Sequence, residues 1–460
     1  MNFDQAVRYL LTLGRELASP QQARAAKFDL QNIQALTERL GHPERAYPTV
    51  HIAGTNGKGS TAAMLASILG AAGLRTGLFT SPHMVRINER LRLAGAEITD
   101  SDLAATFTRI HAIIEELLAG GALAAHPTYF ECVTAMAFAY FAEQQADITI
   151  FEVGMGGRLD ATNVIIPEIA VITQIDFDHE NFLGHSIEQI AAEKAGIIKP
   201  GAWVVSAASH PAAKSVIRNR ASEQNARLVE LDSTWNISDL RAKDGCYRFV
   251  ATPQQVGEAG PAKEPGIQIH LPLAGRYQVR NALTALAAAR LLAEKGFPVV
   301  DDEAIARGLA AVRWPGRLER LRERPAVYLD GTHNPAGARE LVAFWDEELA
   351  GRRIHLVYGA MRDKAVDEVA GLLFPRASTV IVTQSPQPRS ISAQTLASMT
   401  GYLTPKIEVI PEPFAALARA LELAAPEDVV FVTGSLYLVG DLRKYWDGMP
   451  ERPLRPMKTQ

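Results

Sequence analysis

The stretch Tyr47–Ser60, YPTVHIAGTNGKGS, decides how this chain is read. Its apolar run ends at Ile52, a glycine-rich turn carrying Lys58 follows, and Gly59 opens an alanine-rich segment of helical character to about Ala72. The order is strand, loop, helix. In that order the backbone N–H groups of Gly57, Lys58, Gly59 and Ser60 can converge on one anion, because glycines let the chain pass close and a helix N-terminus carries positive potential. Lys58 adds a mobile charge for outer phosphates, and Ser60 or Thr61 a hydroxyl for a magnesium ion. The run departs twice from the common pattern G-x-x-x-x-G-K-[ST]: Ile52 stands at the first glycine and Gly59 at the Ser/Thr position. A tight turn alone does not call for a lysine between two glycines at a helix start.

Around this stretch the chain is long enough, at 460 residues, for two or three domains. Its hydrophobic fraction of 47% and charged fraction of 21% are those of a soluble globular protein. A net charge of −4, with no long Lys/Arg run, gives no reason to expect nucleic acid. Cys132 and Cys246 are too few for a disulfide framework or a thiolate metal cage, which suits a reducing cytoplasm. The start, MNFDQAVRYLLTLGREL, is broken by Asp4 and Arg8, so it reads as neither a signal peptide nor a membrane span.

Residues 3–40 read as two amphipathic helices covering one face of the sheet that begins at Tyr47. A short strand Thr76–Thr80 leads into Ser81-Pro82-His83 and a polar loop with Arg86, Asn88, Glu89, Arg90 and Arg92. Thr128-Tyr129-Phe130-Glu131 precedes an apolar helix from Cys132 to Phe141. Ile148–Val153 is a buried strand whose Glu152 opens onto the glycine run Gly154–Gly157. A carboxylate closing a core strand is costly unless a cation offsets its desolvation, which makes Glu152 the first choice for a metal ligand. The strand Ile169–Ile175 ends at Asp176-Phe177-Asp178-His179, and Ser186 to Gln189 opens a helix holding Glu193 and Lys194. Residue chemistry alone singles out neither His179 nor Lys194. Short strand-like runs fill Leu228–Leu271, interrupted by a Gly/Pro/Glu/Lys-rich insertion from Pro253 to Pro265. One long helix, Arg276–Lys295, contains Asn281.

Trp314-Pro315-Gly316 reads as a hinge, since a second strand–helix alternation starts beyond it. Strands near Ala326–Leu329, Ile354–Tyr358, Thr379–Val382 and Val429–Val432 make a smaller parallel sheet. Its first turn, Asp330-Gly331-Thr332-His333-Asn334-Pro335, has Asn at an N-cap and Pro at the first helical position; capping does not explain Asp330 and His333. The expected fold is α/β: an N-terminal P-loop parallel-sheet domain over residues 1–312, a linker 313–324 and a Rossmann-like α/β domain over 325–460.

Taken in order, HIAGTNGKGST, FTSPHMVR, FEVGMGGRLDATNV, DHENFLGHSIEQIAAEKAGIIKPG, WPGRLERL and DGTHNPAG closely resemble the folylpolyglutamate synthase and dihydrofolate synthase family within the Mur-type ligases. The resemblance runs from about Leu30 to Gly440. It implies an ATP-dependent ligase, acting as a monomer away from membranes, that joins L-glutamate to tetrahydrofolate or its polyglutamates through an acyl phosphate. It places ATP on Asn56, Gly57, Lys58, Gly59 and Ser60, with Asn281, Arg317 and Asp330 touching the nucleotide. Ser60, Ser81 and Glu152 match positions holding a first Mg2+; His179 and Lys194, the latter as a carbamate, match those serving a second. Thr128, Tyr129, Phe130 and Glu131, with Leu159, Asp160 and Ala161, match positions lining the pterin-bearing substrate. The TYFE run looks like that of members that also accept dihydropteroate. Lys58, Lys194 and His333 are the positions to which the resemblance gives catalytic roles. Two other readings use the same loop: a Mur-type ligase with a different carboxylate acceptor, and a nucleotide-binding regulator that does not ligate. The second domain and the absence of an N-K-x-D run argue against the regulator, and the GGRLDATN and TYFE runs argue for pterin.

Overall fold

The computed structural model describes residues 1–13, 29–254, 266–404 and 406–447, so residues 255–265 of the expected insertion lie outside the described set. Among the described residues the chain divides into two compact units. One comprises Met1–Pro272 with Tyr277–Arg313, the other Leu273–Arg276 with the chain from Trp314 onward.

The run ending in the phosphate loop is strand β1 (Thr49–Ala53), buried along its whole length. With β2 (Thr76–Phe79), β3 (Leu91–Leu93), β4 (Ala96–Glu97), β5 (Ile148–Glu152), β6 (Ile169–Ile172), β7 (Trp203–Ser206) and β8 (Arg227–Glu230) it forms an eight-stranded sheet, ordered β4-β3-β2-β5-β1-β6-β7-β8. β1 pairs in parallel with β5 and β6, so it is central and covered on both faces, which explains its nearly unbroken apolar run. One core packs Phe79 and Phe151 against the helices Asp100–Ala119 and Tyr129–Glu143; another packs Ile172 and Val204 against the helix Ile187–Ala195.

Three differences from the sequence reading have physical causes. The N-terminal helices Phe3–Thr12 and Gln31–Arg39 pack on the helices Asp100–Ala119 and Tyr129–Glu143, a layer outside the sheet they were expected to cover. The expected polar loop 83–92 contains a 3-10 turn, Ile87–Arg90, and the antiparallel strand β3. Its polar side chains hid this because Asn88 and Arg90 are themselves buried, Asn88 donating to the Ile98 carbonyl at 2.8 Å. Strand β6 stops at Ile172, three residues early, because Thr173 and Gln174 turn their hydrogen bonds to the phosphate loop.

Beyond β8, strands β9 (Trp235–Lys243), β10 (Cys246–Pro253) and β11 (Ile267–Leu271) form an antiparallel sheet ordered β11-β10-β9. In the second unit, β12 (Glu319–Glu323), β13 (Ala326–Leu329), β14 (Ile354–Tyr358), β15 (Thr379–Val382), β16 (Ile407–Val409) and β17 (Val429–Thr433) are ordered β12-β13-β17-β14-β15-β16. All these neighbours are parallel except β12, which runs antiparallel to β13, so the sheet is mixed at one edge. Residues 319–323, inside the stretch read as linker, are that edge strand. The amphipathic face of β12 is half exposed, which is why its alternation of Glu and Arg reads as a linker.

Candidate active site

The loop after β1 ends at the helix Lys58–Ala71, whose N-cap is Gly57 at φ 88° with no side-chain cap. The amides of the first helical turn have no acceptor within the helix and glycine has no side chain to cap them, so this helix end carries positive potential. The loop is held from β6. Thr55 N–H donates to the Gln174 carbonyl at 2.8 Å and the Thr173 hydroxyl to the Asn56 carbonyl at 2.8 Å. A Cβ on Gly54 would lie 1.8 Å from Thr173 Oγ1, so only glycine fits there. Thr173 escaped the sequence reading; its one signal is a hydroxyl closing an apolar strand.

Two lysines meet at this loop. Lys58 Nζ donates to the carbonyls of Gly54 at 3.0 Å and Thr55 at 3.2 Å, while Lys194, itself buried, donates to the same Gly54 carbonyl at 2.8 Å. Lys194 is delivered by a close junction between two distant motifs. A Cβ on Gly157 would lie 2.8 Å from the Glu193 carbonyl, and one on Gly196 2.5 Å from Arg158 Cβ. Arg158 N–H donates to the Glu193 carbonyl and Asn163 Nδ2 to the Arg158 and Gly196 carbonyls. The GGRLDATN and EKAG runs are therefore the two sides of one backbone contact.

Glu152 closes β5, is buried, and accepts the Ser81 N–H at 3.1 Å. His83 Nδ1 accepts from Arg90 Nε at 2.9 Å, and the Arg90 guanidinium lies 5.4 Å from the Tyr129 ring centre. His179 adopts φ 52°, and its backbone N–H donates to Asp178 Oδ1 at 2.9 Å. Ser60, Ser81 and Glu152 are hard oxygen donors of the kind magnesium takes together with phosphate oxygens and water. Among the described residues no group of three or more His, Cys, Asp or Glu could hold a metal, so a cation here would draw on few protein ligands.

The substrate runs divide. Thr128 and Glu131 close a capping box on each other, Thr128 N–H donating to Glu131 at 2.7 Å and Glu131 N–H to Thr128 Oγ1 at 3.2 Å. Phe130 lies over the glycine run, where a Cβ on Gly154 would be 2.6 Å from its ring. Asp160 accepts the Thr162 N–H on one oxygen and the Met155 N–H on the other, both at 3.0 Å. Burial raises its pKa, with these hydrogen bonds opposing. Ala161 is buried in the core and Leu159 half-buried. Thr162 also hydrogen-bonds His51 Nε2 at 2.8 Å, and burial, helped by Lys199, pushes the His51 pKa down to about 3.

Asn281 lies against Gly57, where a Cβ would be 2.4 Å from Asn281 Oδ1. In the second unit, Asp330 is buried and accepts the N–H groups of Leu318 and Thr332 at 2.8 and 2.9 Å, tying the loop at 316–319 to the end of β13. Arg317 Nη1 donates to the Gly316 carbonyl and lies where a Cβ on Gly331 would be 2.6 Å away. His333 Nδ1 hydrogen-bonds the Gly331 carbonyl at 2.8 Å, and Asn334 caps the helix Pro335–Glu348 through the Gly337 N–H. Arg317, Asp330 and His333 thus gather at the carboxyl end of β13, where open parallel sheets place their ligands.

The first unit is a phosphate-loop α/β fold, and the comparisons place it further. Residues 52–289 match the Mur ligase middle domain and residues 316–436 the Mur ligase, glutamate ligase domain. The chain is 36% identical over 422 residues to a dihydrofolate synthase/folylpolyglutamate synthase of Bacillus subtilis, spanning 91% of this chain and 95% of that one. It is 33% identical over 446 residues to the folylpolyglutamate synthase of Lacticaseibacillus casei, spanning 96% and 98%. The folylpolyglutamate synthase of Mycobacterium tuberculosis, solved with ADP and AMPPCP, superposes at a TM-score of 0.84 and 35% identity over 92% of this chain and 96% of that one. The chain belongs to the folylpolyglutamate synthase/dihydrofolate synthase family of Mur ligases.

Proposed function

We propose that this chain is an ATP-dependent ligase that adds L-glutamate to folates, with tetrahydrofolate and its polyglutamates as acceptors and dihydropteroate as a second one. The observation that carries the reading is the uncapped helix N-terminus at Gly57, with Lys58 beside it, in a chain of this family. Lys58, released from the loop carbonyls, neutralises the γ-phosphate oxygens of ATP, and the loop amides of Asn56 to Ser60 hold the phosphates. The acceptor's carboxylate oxygen attacks the γ-phosphorus, ADP departs, and an acyl phosphate results. The glutamate amine then attacks the acyl carbon, phosphate leaves, and the amine gives up a proton as the amide forms. Asn281, Arg317 and Asp330 serve the nucleotide, His333 the reacting groups. Thr128 to Glu131 and Leu159 to Ala161 serve the pterin, with Phe130 over the glycine run the member whose placement supports this most.

Ser60, Ser81 and Glu152 would hold one Mg2+, and His179 with Lys194 would serve a second. Magnesium would supply charge neutralisation on the phosphate oxygens. Lys194 is the difficult member, because an ammonium repels a cation. We assign it a carbamate, formed as its neutral amine adds to CO2 and loses a proton. The convergence of the half-buried Lys58 and the buried Lys194 on one carbonyl supports this, since neighbouring like charges disfavour each other and converting one to an anion turns repulsion into attraction. Lys194→Ala is expected to lose activity and to regain part of it with added short-chain carboxylic acids; no rescue, or no loss, would refute the carbamate.

We assign the protein to the cytoplasm as a monomer; neither cysteine is in a disulfide, and among the described residues no helix is long and apolar enough to cross a membrane. The deciding experiment is a product assay with purified protein, ATP and glutamate, run separately with dihydropteroate and tetrahydrofolate. Amide product with neither acceptor would overturn the reading.

A further inference from the structure

One fully buried side chain touches the phosphate loop and the helix behind it at once. Gln278, on the helix Tyr277–Glu294, donates from Nε2 to Ser60 Oγ at 3.2 Å and accepts on Oε1 from Asn281 Nδ2 at 2.9 Å. Ser60 and Asn281 are buried too, and Asn281 Oδ1 abuts Gly57. A buried amide must place its donor and acceptor ends correctly, because an unmatched polar group there is costly. The donation from Asn281 therefore fixes which end of Gln278 faces Ser60. An N–H pointed at Ser60 Oγ occupies one lone pair of that hydroxyl and leaves the other, with the O–H, turned to the loop.

We propose that Gln278 is a positioning residue. It sets the Ser60 hydroxyl to offer a lone pair to the cation accompanying the nucleotide, and Asn281 holds it in that orientation. The proposal rests on the reading of this loop as a nucleotide site but not on ligation. In it Ser60 and Gln278 form one device, so removing either removes the same contribution.

The test is calorimetric titration of ADP into the full chain, with magnesium and with chelator, for Ser60→Ala, Gln278→Met and the double variant. With magnesium, each single variant is expected to weaken ADP binding by about fivefold to tenfold, the net worth of one ordinary hydrogen bond. With chelator the loss is expected to be much smaller, and the double variant to be no weaker than Ser60→Ala. Equal losses with and without magnesium, or additive losses in the double variant, would overturn the proposal, since packing alone would produce either. Gln278→Leu covers the case in which Gln278→Met does not fold. It keeps much of the volume but cannot donate, and it too must lose magnesium-linked affinity; retention would overturn the proposal. Wild-type chain that fails to ligate yet shows these shifts separates the proposal from the proposed function. Ligation with an unshifted Gln278→Met refutes the proposal alone.

Discussion

Two junctions share one plan, a buried parallel strand leading through a turn into a helix, yet their helix starts differ. After β1 the cap is a glycine in the left-handed region, which has no side chain to cap the helix, and two lysines rest on one carbonyl. After β13 the cap is Asn334, its side chain takes the Gly337 N–H, and Asp330 takes the Thr332 N–H of the turn together with the Leu318 N–H of the loop 316–319. The first junction is the one proposed above for the nucleotide phosphates. The second uses its turn amides within the protein, in the Asn334 cap and the Asp330 bonds. An open helix start is a binding site, whereas a closed one is a scaffold.

Substitutions can break this contrast. Lys58→Ala should cut ligation by about a thousandfold or more, the scale of losing a main charge stabiliser, without lowering the unfolding temperature. A steady-state ligation assay beside a melting curve checks both. Near-normal turnover would place the open junction outside the chemistry. Gly57→Ala tests the backbone instead of the charge. Gly57 has φ 88° and a Cβ would strike Asn281. We expect ATP to bind about tenfold or more weakly, from strain of roughly 1–2 kcal/mol. Its counterpart Gly337→Ala meets Thr332 Oγ1 only at 3.1 Å and lies in a helix, so it should leave ligation intact and move stability by less than about 1 kcal/mol.

Acid sharpens the comparison in another way. The His51 pKa is depressed to about 3 in the fold, while an unfolded histidine titrates near about 6.5. As pH falls below the unfolded value the unfolded chain binds the proton first, so the first unit loses stability, by about 2 kcal/mol at pH 5, until the folded form protonates as well. Asp160, raised by burial, works in the opposite direction and reduces this loss. In the second unit, burial works against the Asp428 carboxylate. Hydrogen bonds from Ala425 N–H, His355 and Arg353 nevertheless hold its pKa below the ordinary aspartate value. Its contribution is kept above the unfolded aspartate pKa and lost only below it. Hydrogen exchange at pH 5 should therefore show β1 amides opening more readily than at pH 8, with β17 amides changed less. Asn334→Ala removes the cap itself and should lower stability by about 1 kcal/mol in a melting curve, with ligation nearly unchanged.

The sequence made β13, β14, β15 and β17 of the second unit legible to within a residue, because they are short apolar runs bounded by turn residues, whereas the short, partly exposed β16 was missed. It also made the open junction legible, since a lysine flanked by glycines before an alanine-rich helix has one physical reading. It missed β12 and β3, whose alternation is written in Arg, Glu and Leu, and it missed the helix Asp100–Ala119, which Thr99 caps. The site residues it could not find are those that act on other residues. Gln278 and Thr173 carry no reactive group, and their meaning depends on a helix and a strand more than a hundred positions apart in the chain meeting at one loop.

The contact of Gly157 with the end of the helix carrying Lys194 bears on how this protein can be rebuilt. Grafting the segment 154–163 from a relative without its partner segment 193–197 would push a foreign backbone against Gly196 and drag Lys194 off the Gly54 carbonyl. Grafts between homologues should keep this contact when the two segments travel as a pair.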